Sequence, residues 1–197
     1  MKKVNIIWTH PRQESLTGKI VSGIKEVLAS EGFSIHETDL YRSDFSPVLL
    51  EEDEPDFSNP DKYYSETVMK MAAELDPDTP LVFVFPVWWH TLPAMLKGYL
   101  DRVWNFGLIY GEGRRVPASK VIWVGMVGMD EHSFSKRGFD ANLKNILNVG
   151  MAGYCCIPQS HVELVYNTLG DNIVSAEAHY NGLINQAVNA VSNFLRN

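Results

Sequence analysis

Cysteine is nearly absent: the 197 residues hold two, Cys155 and Cys156, side by side. Adjacent thiols suit neither a disulfide framework nor a C-x-x-C redox or zinc motif, so the pair reads as buried strand thiols and no metal site is expected. No basic stretch interrupts a formal net charge of −7, which repels nucleic acid and anionic membrane surfaces alike. Nowhere do about 20 apolar residues run together, and the N-terminal apolar run, Val4 to Trp8, is too short for a secretory signal. These absences predict a cytoplasmic protein with no nucleic-acid partner and no membrane insertion. Two phosphate-binding signatures are also missing, the dinucleotide G-x-G-x-x-G and the G-x-x-x-x-G-K-[ST] loop, and there is no internal repeat or low-complexity segment.

What is present is 45% hydrophobic content over a length that suits one well-buried domain spanning residues 1–197. Its most informative stretch is Leu81 to Gly98, LVFVFPVWWHTLPAMLKG, an apolar run that stops at Pro86, passes two tryptophans and restarts at Pro93 with helical spacing. That is a strand, a short aromatic loop and a helix. Adjacent residues point different ways, so at least one of Trp88 and Trp89 is expected to face a ligand crevice or a partner chain. Around this unit the patterning predicts strands at Val4–Trp8, Phe33–Leu40, Val121–Val127 and Tyr154–Ile157, with Phe33–Leu40 near the sheet edge and His36 and Trp123 on the surface. Helices are expected from Leu16 to the stop at Gly32, and over Tyr63–Leu75, Pro93–Val103, Ser135–Leu147 and Ser175–Leu195. Tyr41 to Asp61, with three prolines and the acidic run Glu51 to Glu54, is a long connection that is functional, wraps a neighbouring subunit, or is a solvated insertion.

Strands alternating with helices imply an α/β fold, an open, doubly wound five-stranded parallel sheet with helices on both faces, in the flavodoxin-like order 2-1-3-4-5. In that order His10 to Thr17, Pro86 to Thr91 and Gly125 to Met129 converge on one crevice. The helix that opens after the first strand offers free N–H groups, with hydroxyls from Ser15 and Thr17 and positive charge from His10 and Arg12, which makes an anion site of phosphate size. The plainer alternative is that Ser15 or Thr17 is only an N-cap. A phosphate at one end and a flat ring at the other describe a flavin nucleotide.

The chain resembles the flavodoxin-like NAD(P)H:quinone oxidoreductases, the DT-diaphorase type and its bacterial relatives such as modulator of drug activity B. The resemblance runs from about Val4 to Ile157. It rests on His10-Pro11-Arg12 with Ser15-Leu16-Thr17, on Asp39-Leu40-Tyr41, on Phe85 to Trp89 running into Pro93 to Gly98, and on Asp101-Arg102-Val103. It implies that His10, Ser15, Leu16 and Thr17 bind flavin phosphates and that Pro86, Val87, Trp88 and Trp89 lie along the isoalloxazine ring. Met126, Val127, Gly128 and Met129 form the third loop. FAD is the implied flavin, with FMN as the alternative; NAD(P)H is the co-substrate, and a quinone or similar acceptor follows it into the same pocket in a ping-pong scheme. His90, Tyr110, Phe134 and Asp140 are the implied substrate-pocket residues.

Two departures from that family matter. Its long-chain eukaryotic members carry a Tyr and a His where this chain has Phe134 and Asp140, with Gly138 retained between them. Phe134 cannot donate a proton, so either backbone amides alone stabilise the reduced flavin or another group, His132 or His90, supplies the proton, and no catalytic side chain is assigned. Met126 and Val127 also replace a Thr pair, which removes two hydroxyls from the flavin edge. The apolar segment Trp104 to Tyr110, inside a glycine- and aromatic-rich stretch reaching Pro117, would leave an exposed patch on a monomer. The resemblance accordingly implies a homodimer in which Tyr110 roofs the partner's flavin. Two other functions remain open: a flavin-bound ancillary subunit of a potassium-efflux system, and a one-electron carrier of flavodoxin type.

Overall fold

The computed structural model describes residues 2–114 and 116–197; Arg115, in the glycine- and aromatic-rich stretch, and Met1 lie outside them. Apolar runs become five strands, β1 (Lys2–Trp8), β2 (Phe33–Asp39), β3 (Leu81–Pro86), β4 (Val121–Met126) and β5 (Ser160–Val165). All pairs are parallel and the order is β2-β1-β3-β4-β5, as expected from the sequence. The crossovers are α1 (Leu16–Ser30), α2 (Glu66–Ala73), α3 (Ala94–Val103), then α4 (Glu131–Ser135) and α5 (Phe139–Asn145) continued by a π-helical segment at Ile146–Gly153, and α6 (Ala176–Arg196) closes the chain.

The inner strands do not alternate because both of their faces are covered. Leu81, Phe83 and Phe85 enter a core with Tyr99, Trp104 and Trp123, while Val82 and Val84 enter a second core with Ile20, Ile24 and Val191. Trp123 is therefore not a surface residue: it is fully buried, stacks on Phe83 with ring centroids 4.5 Å apart, and donates its Nε1–H to Ser160 Oγ at 3.1 Å.

The last strand lies at Ser160–Val165, not at Tyr154–Ile157. An edge strand needs one covered face only, so SHVELV alternates polar and apolar residues and carries the weaker signal. The apolar YCCI run belongs instead to the turn that leaves the π-helical segment. Cys155 is buried there, but Cys156 is exposed with φ 58°, so the two are not paired strand thiols. Burial pushes the Cys155 thiol up to about 11. The helix expected over Ser135–Leu147 is broken at Gly138, whose φ of 72° interrupts it between α4 and α5. Helix α2 starts at Glu66 rather than Tyr63 because Ser65 caps it, accepting from the Val68 amide at 3.4 Å, while Tyr64 is buried and donates to the Phe106 carbonyl oxygen at 2.6 Å.

The long connection is pinned to its own chain. Asp53, in the middle of the acidic run, is fully buried and takes Nε and Nη2 of Arg102 at 3.0 and 2.7 Å, with the Ser65 amide at 2.8 Å. The segment expected to expose an apolar patch also turns inward: Trp104, Phe106 and Ile109 are buried. Apolar exposure lies next to it, at Val149 (63%) and Tyr154 (69%).

Candidate functional site

Helix α1 leads from β1 to one side of the sheet and α3 leads from β3 to the other, so the crevice beyond their carboxyl ends sits at the topological switch point. The loop after β1 extends the pairing by one residue, the Thr9 amide donating to the Val84 carbonyl oxygen at 3.1 Å. Thr9 is buried, and its hydroxyl has no hydrogen-bond partner among the described residues. Ser15 caps α1 by accepting from the Gly18 amide at 3.2 Å, so its hydroxyl is already engaged. Gly18 is required there, since a Cβ would stand 2.0 Å from the Gln13 carbonyl oxygen. The Leu16 and Thr17 amides, by contrast, donate to nothing among the described residues and are the open donors of this helix end.

His10 is half-buried, with Nδ1 3.0 Å from both the amide nitrogen and the carbonyl oxygen of Arg12. Burial lowers its pKa, and the charges of Arg12 and Arg42 lower it further against the Arg12 backbone bond. Arg42 is a site residue that the sequence patterning did not single out. It pairs with Asp39 and donates to the His10 and Pro11 carbonyl oxygens at 2.7 and 3.2 Å, clamping the first loop from the long connection. Its position straight after the Asp39-Leu40-Tyr41 stretch was the available signal.

The loop after β3 meets the first loop directly, with the Trp88 and His10 ring centroids 6.1 Å apart. Trp88 and Thr91 exchange backbone hydrogen bonds of 3.2 and 3.1 Å around two central residues, Trp89 and His90, whose φ values are 51° and 60°. Turns with positive φ at both central residues normally take Asn-Gly, and each bulky residue held there costs on the order of 1–3 kcal/mol. The result is a loop whose tryptophans are both outside the core, Trp88 at 41% and Trp89 at 93% exposure. The Trp89 and His90 amides are without partners among the described residues. His90 stacks on Phe139, centroids 3.8 Å apart and planes 13° from parallel, and leans on Phe134 at 5.8 Å.

In the loop after β4, Met126 and Val127 are buried in the two different cores, and the Val127 amide is spent on the Val165 carbonyl oxygen at 2.8 Å. Gly128 and Met129 are the partly exposed residues of this loop. Phe134 is buried behind His90, and Asp140 is partly exposed in the first turn of α5. Pro86 is buried at the strand end and Val87 is half-buried, its amide held by Met126. Tyr110 is not gathered into this crevice by its own chain's contacts: it lines a cavity of about 490 Å³ with Phe57, Phe106 and Tyr154, its ring edge-on to Tyr154 at 5.7 Å.

The crevice thus offers an orphaned buried hydroxyl, open helix-end amides and basic side chains at one end, and exposed indoles with free amides at the other. Those donors suit a phosphate, and the rings suit a planar heterocycle. Among the described residues no group of three or more His, Cys, Asp or Glu could hold a metal ion, and no helix is long and apolar enough to cross a membrane.

A parallel sheet of this order with its ligand crevice between β1 and β3 defines a flavodoxin-like protein. The profile of a family described by its flavodoxin-like fold matches residues 2–189. The chain is 41% identical over 188 residues to the uncharacterized NAD(P)H oxidoreductase YcaK of Escherichia coli K12, covering 94% of both chains. Among solved structures it is similar to an NAD(P)H:quinone oxidoreductase from Methanothermobacter marburgensis, with a TM-score of 0.85 at 24% identity over 98% of this chain and 95% of that one. It is also similar to an FMN-dependent NADH-azoreductase from Bacillus anthracis in complex with FMN, with a TM-score of 0.69 at 16% identity over 98% and 99% of the two chains. The chain belongs to the flavodoxin-like family that this profile describes, and the relative it matches at 41% identity is an NAD(P)H oxidoreductase.

Proposed function

We propose that the protein is a flavin-dependent NAD(P)H oxidoreductase that reduces quinones or similar acceptors by two electrons in a ping-pong cycle. The observation that carries this reading is the convergence of open amides, basic side chains and exposed indoles at the β1/β3 switch point. The phosphate end is Leu16, Thr17, Thr9 and His10; Ser15 shapes the helix end as its cap. Val87, Trp88 and Trp89 flank the ring, with Gly128 and Met129 across the sheet. A bound flavin supplies hydride chemistry, and the chain orients it and leaves one face open for NAD(P)H and then for the acceptor. We propose FAD, with FMN as the alternative; Arg12, whose charge bears on His10, is the basic side chain open to phosphate at the first loop, because Arg42 is engaged by Asp39 and the loop carbonyls.

The same reading makes the protein a homodimer. Support comes from the exposed Val149 and Tyr154 beside the Tyr110 cavity, an apolar surface that a second copy would cover and through which Tyr110 would reach a neighbouring crevice. The test is reconstitution with FAD and FMN, chromatography of the cofactor retained, and steady-state turnover of NAD(P)H with a quinone. Absence of retained flavin would sink the reading; retained flavin with negligible turnover would favour a regulatory subunit instead.

A further inference from the structure

We propose that His90 gives the acceptor its second proton, an inference that rests on the flavin reductase reading. Reduction of a quinone to a hydroquinone adds two electrons and two protons. A flavin held in the crevice would supply the electron pair and one proton as hydride to one carbonyl oxygen, which leaves negative charge on the other oxygen. That oxygen takes a proton from the His90 imidazolium: an N–H bond breaks, an O–H bond forms, and the neutral imidazole recovers its proton from water, to which it is exposed.

Several independent features single out this side chain. Phe134 and Phe139, the rings behind it, hold no exchangeable proton, yet they fix its plane through a near-parallel stack and a tilted contact. Both imidazole nitrogens lack hydrogen-bond partners among the described residues, so the ring is oriented by packing and chemically free. Other histidines are committed elsewhere: His36 faces Glu74 and His161 faces Glu163, while His179 meets the Asn167 carbonyl oxygen and His10 the Arg12 backbone. His132 is an exposed residue of α4, without a ring contact among the described residues to orient it. The chain also keeps His90 at φ 60°, next to Trp89 at φ 51°, in a turn where small residues are the norm, which puts both residues at the tip of the loop after β3. The charged and titratable groups on the helices packed against it, α4 and α5 with their junction, are Glu131, His132, Lys136, Arg137, Asp140 and Lys144.

The test uses the flavin-loaded protein and His90→Asn, because Asn tolerates positive φ and keeps the turn. His90→Asn is expected to retain flavin, read by its visible absorption, and in stopped flow to lose much more of the reoxidation rate than of the rate of reduction by NAD(P)H. Its reoxidation by a naphthoquinone is expected to slow on the order of 100-fold, with partial rescue by added imidazole. In the oxidised, non-cycling protein, the His90 Cε1–H resonance should shift when the naphthohydroquinone is added. His36→Gln, at the far edge of the sheet, should match wild type throughout. Wild-type reoxidation rates in His90→Asn, or their loss in His132→Gln instead, would overturn the assignment while leaving the reductase reading intact. Failure of the wild-type protein to hold flavin would remove the reading itself.

Discussion

At the scale of single residues, exposure separates Trp89 from Trp123. Trp89→Ala should leave stability unchanged, because the side chain is 93% exposed, and should weaken flavin binding about 2- to 12-fold, the equivalent of roughly 0.5–1.5 kcal/mol of ring contact. Trp123→Ala should do the reverse, costing about 3–5 kcal/mol in urea unfolding as a core deletion. Equal effects of the two changes on flavin affinity would refute the aromatic-loop assignment. His10 carries the pH dependence. Its pKa is lowered in the free protein and would be raised by a bound phosphate, so flavin should bind more tightly below the free-state pKa and lose that gain as pH rises through the bound-state value. His10→Gln should flatten this profile in calorimetric titrations; an unchanged profile would place the phosphate elsewhere.

Between elements, the contact that positions the long connection is the buried Asp53–Arg102 pair, which ties residues 41–65 to α3. Arg102 also donates to the Ser46 carbonyl oxygen at 2.5 Å, and the Asp53 carboxylate accepts from the Ser65 amide and hydroxyl at 2.8 and 2.9 Å, so both charges are satisfied. Removing one partner strands the other, and Arg102→Ala should cost on the order of 3–5 kcal/mol in denaturant unfolding. Burial alone would raise the Asp53 pKa, but the Ser65 and Arg102 hydrogen bonds outweigh it and hold the carboxyl below its usual range. Its stabilising contribution is therefore present above the unfolded-state pKa of about 3.9 and fades as pH falls through the lower folded value. Arg102→Ala should accordingly unfold at a higher pH on acid titration; an acid midpoint equal to wild type would mean the pair is not what holds the strap. The Asp101-Arg102-Val103 stretch was legible in the sequence, but its partner was not, because Asp53 looked like one member of a solvated acidic run.

For the molecule as a whole, the distribution of apolar surface argues for association. Sedimentation velocity at micromolar concentration should show a dimer, and Val149→Glu should shift it toward monomer without altering the helical circular dichroism signal. A wild-type monomer with unimpaired quinone reduction would refute a shared site. The patch that the sequence placed at Trp104 to Tyr110 is largely internal, and the exposed one lies on the π-helical segment after α5, whose irregular winding presents Val149 to solvent. Composition alone could not distinguish these two surfaces, since both stretches are rich in apolar residues.

Periodicity and punctuation by themselves determined the three inner strands, α1, α3, α6 and the parallel order. A strand covered on both faces must be continuously apolar, and a helix packed on one face must carry a stripe. The same logic located the three loops at the crevice. Only the tertiary structure decided which residue type serves which purpose within them: that Ser15 is spent on a cap, that Met126 and Val127 are core, and that Arg42 closes the first loop from a distant connection. It alone set His90 flat against Phe139, since a stack between residues 49 positions apart in the chain leaves no trace in local pattern. The edge strand β5 escaped sequence reading for the converse reason: with one face open to water, its alternation was weaker than the apolar run of the turn before it.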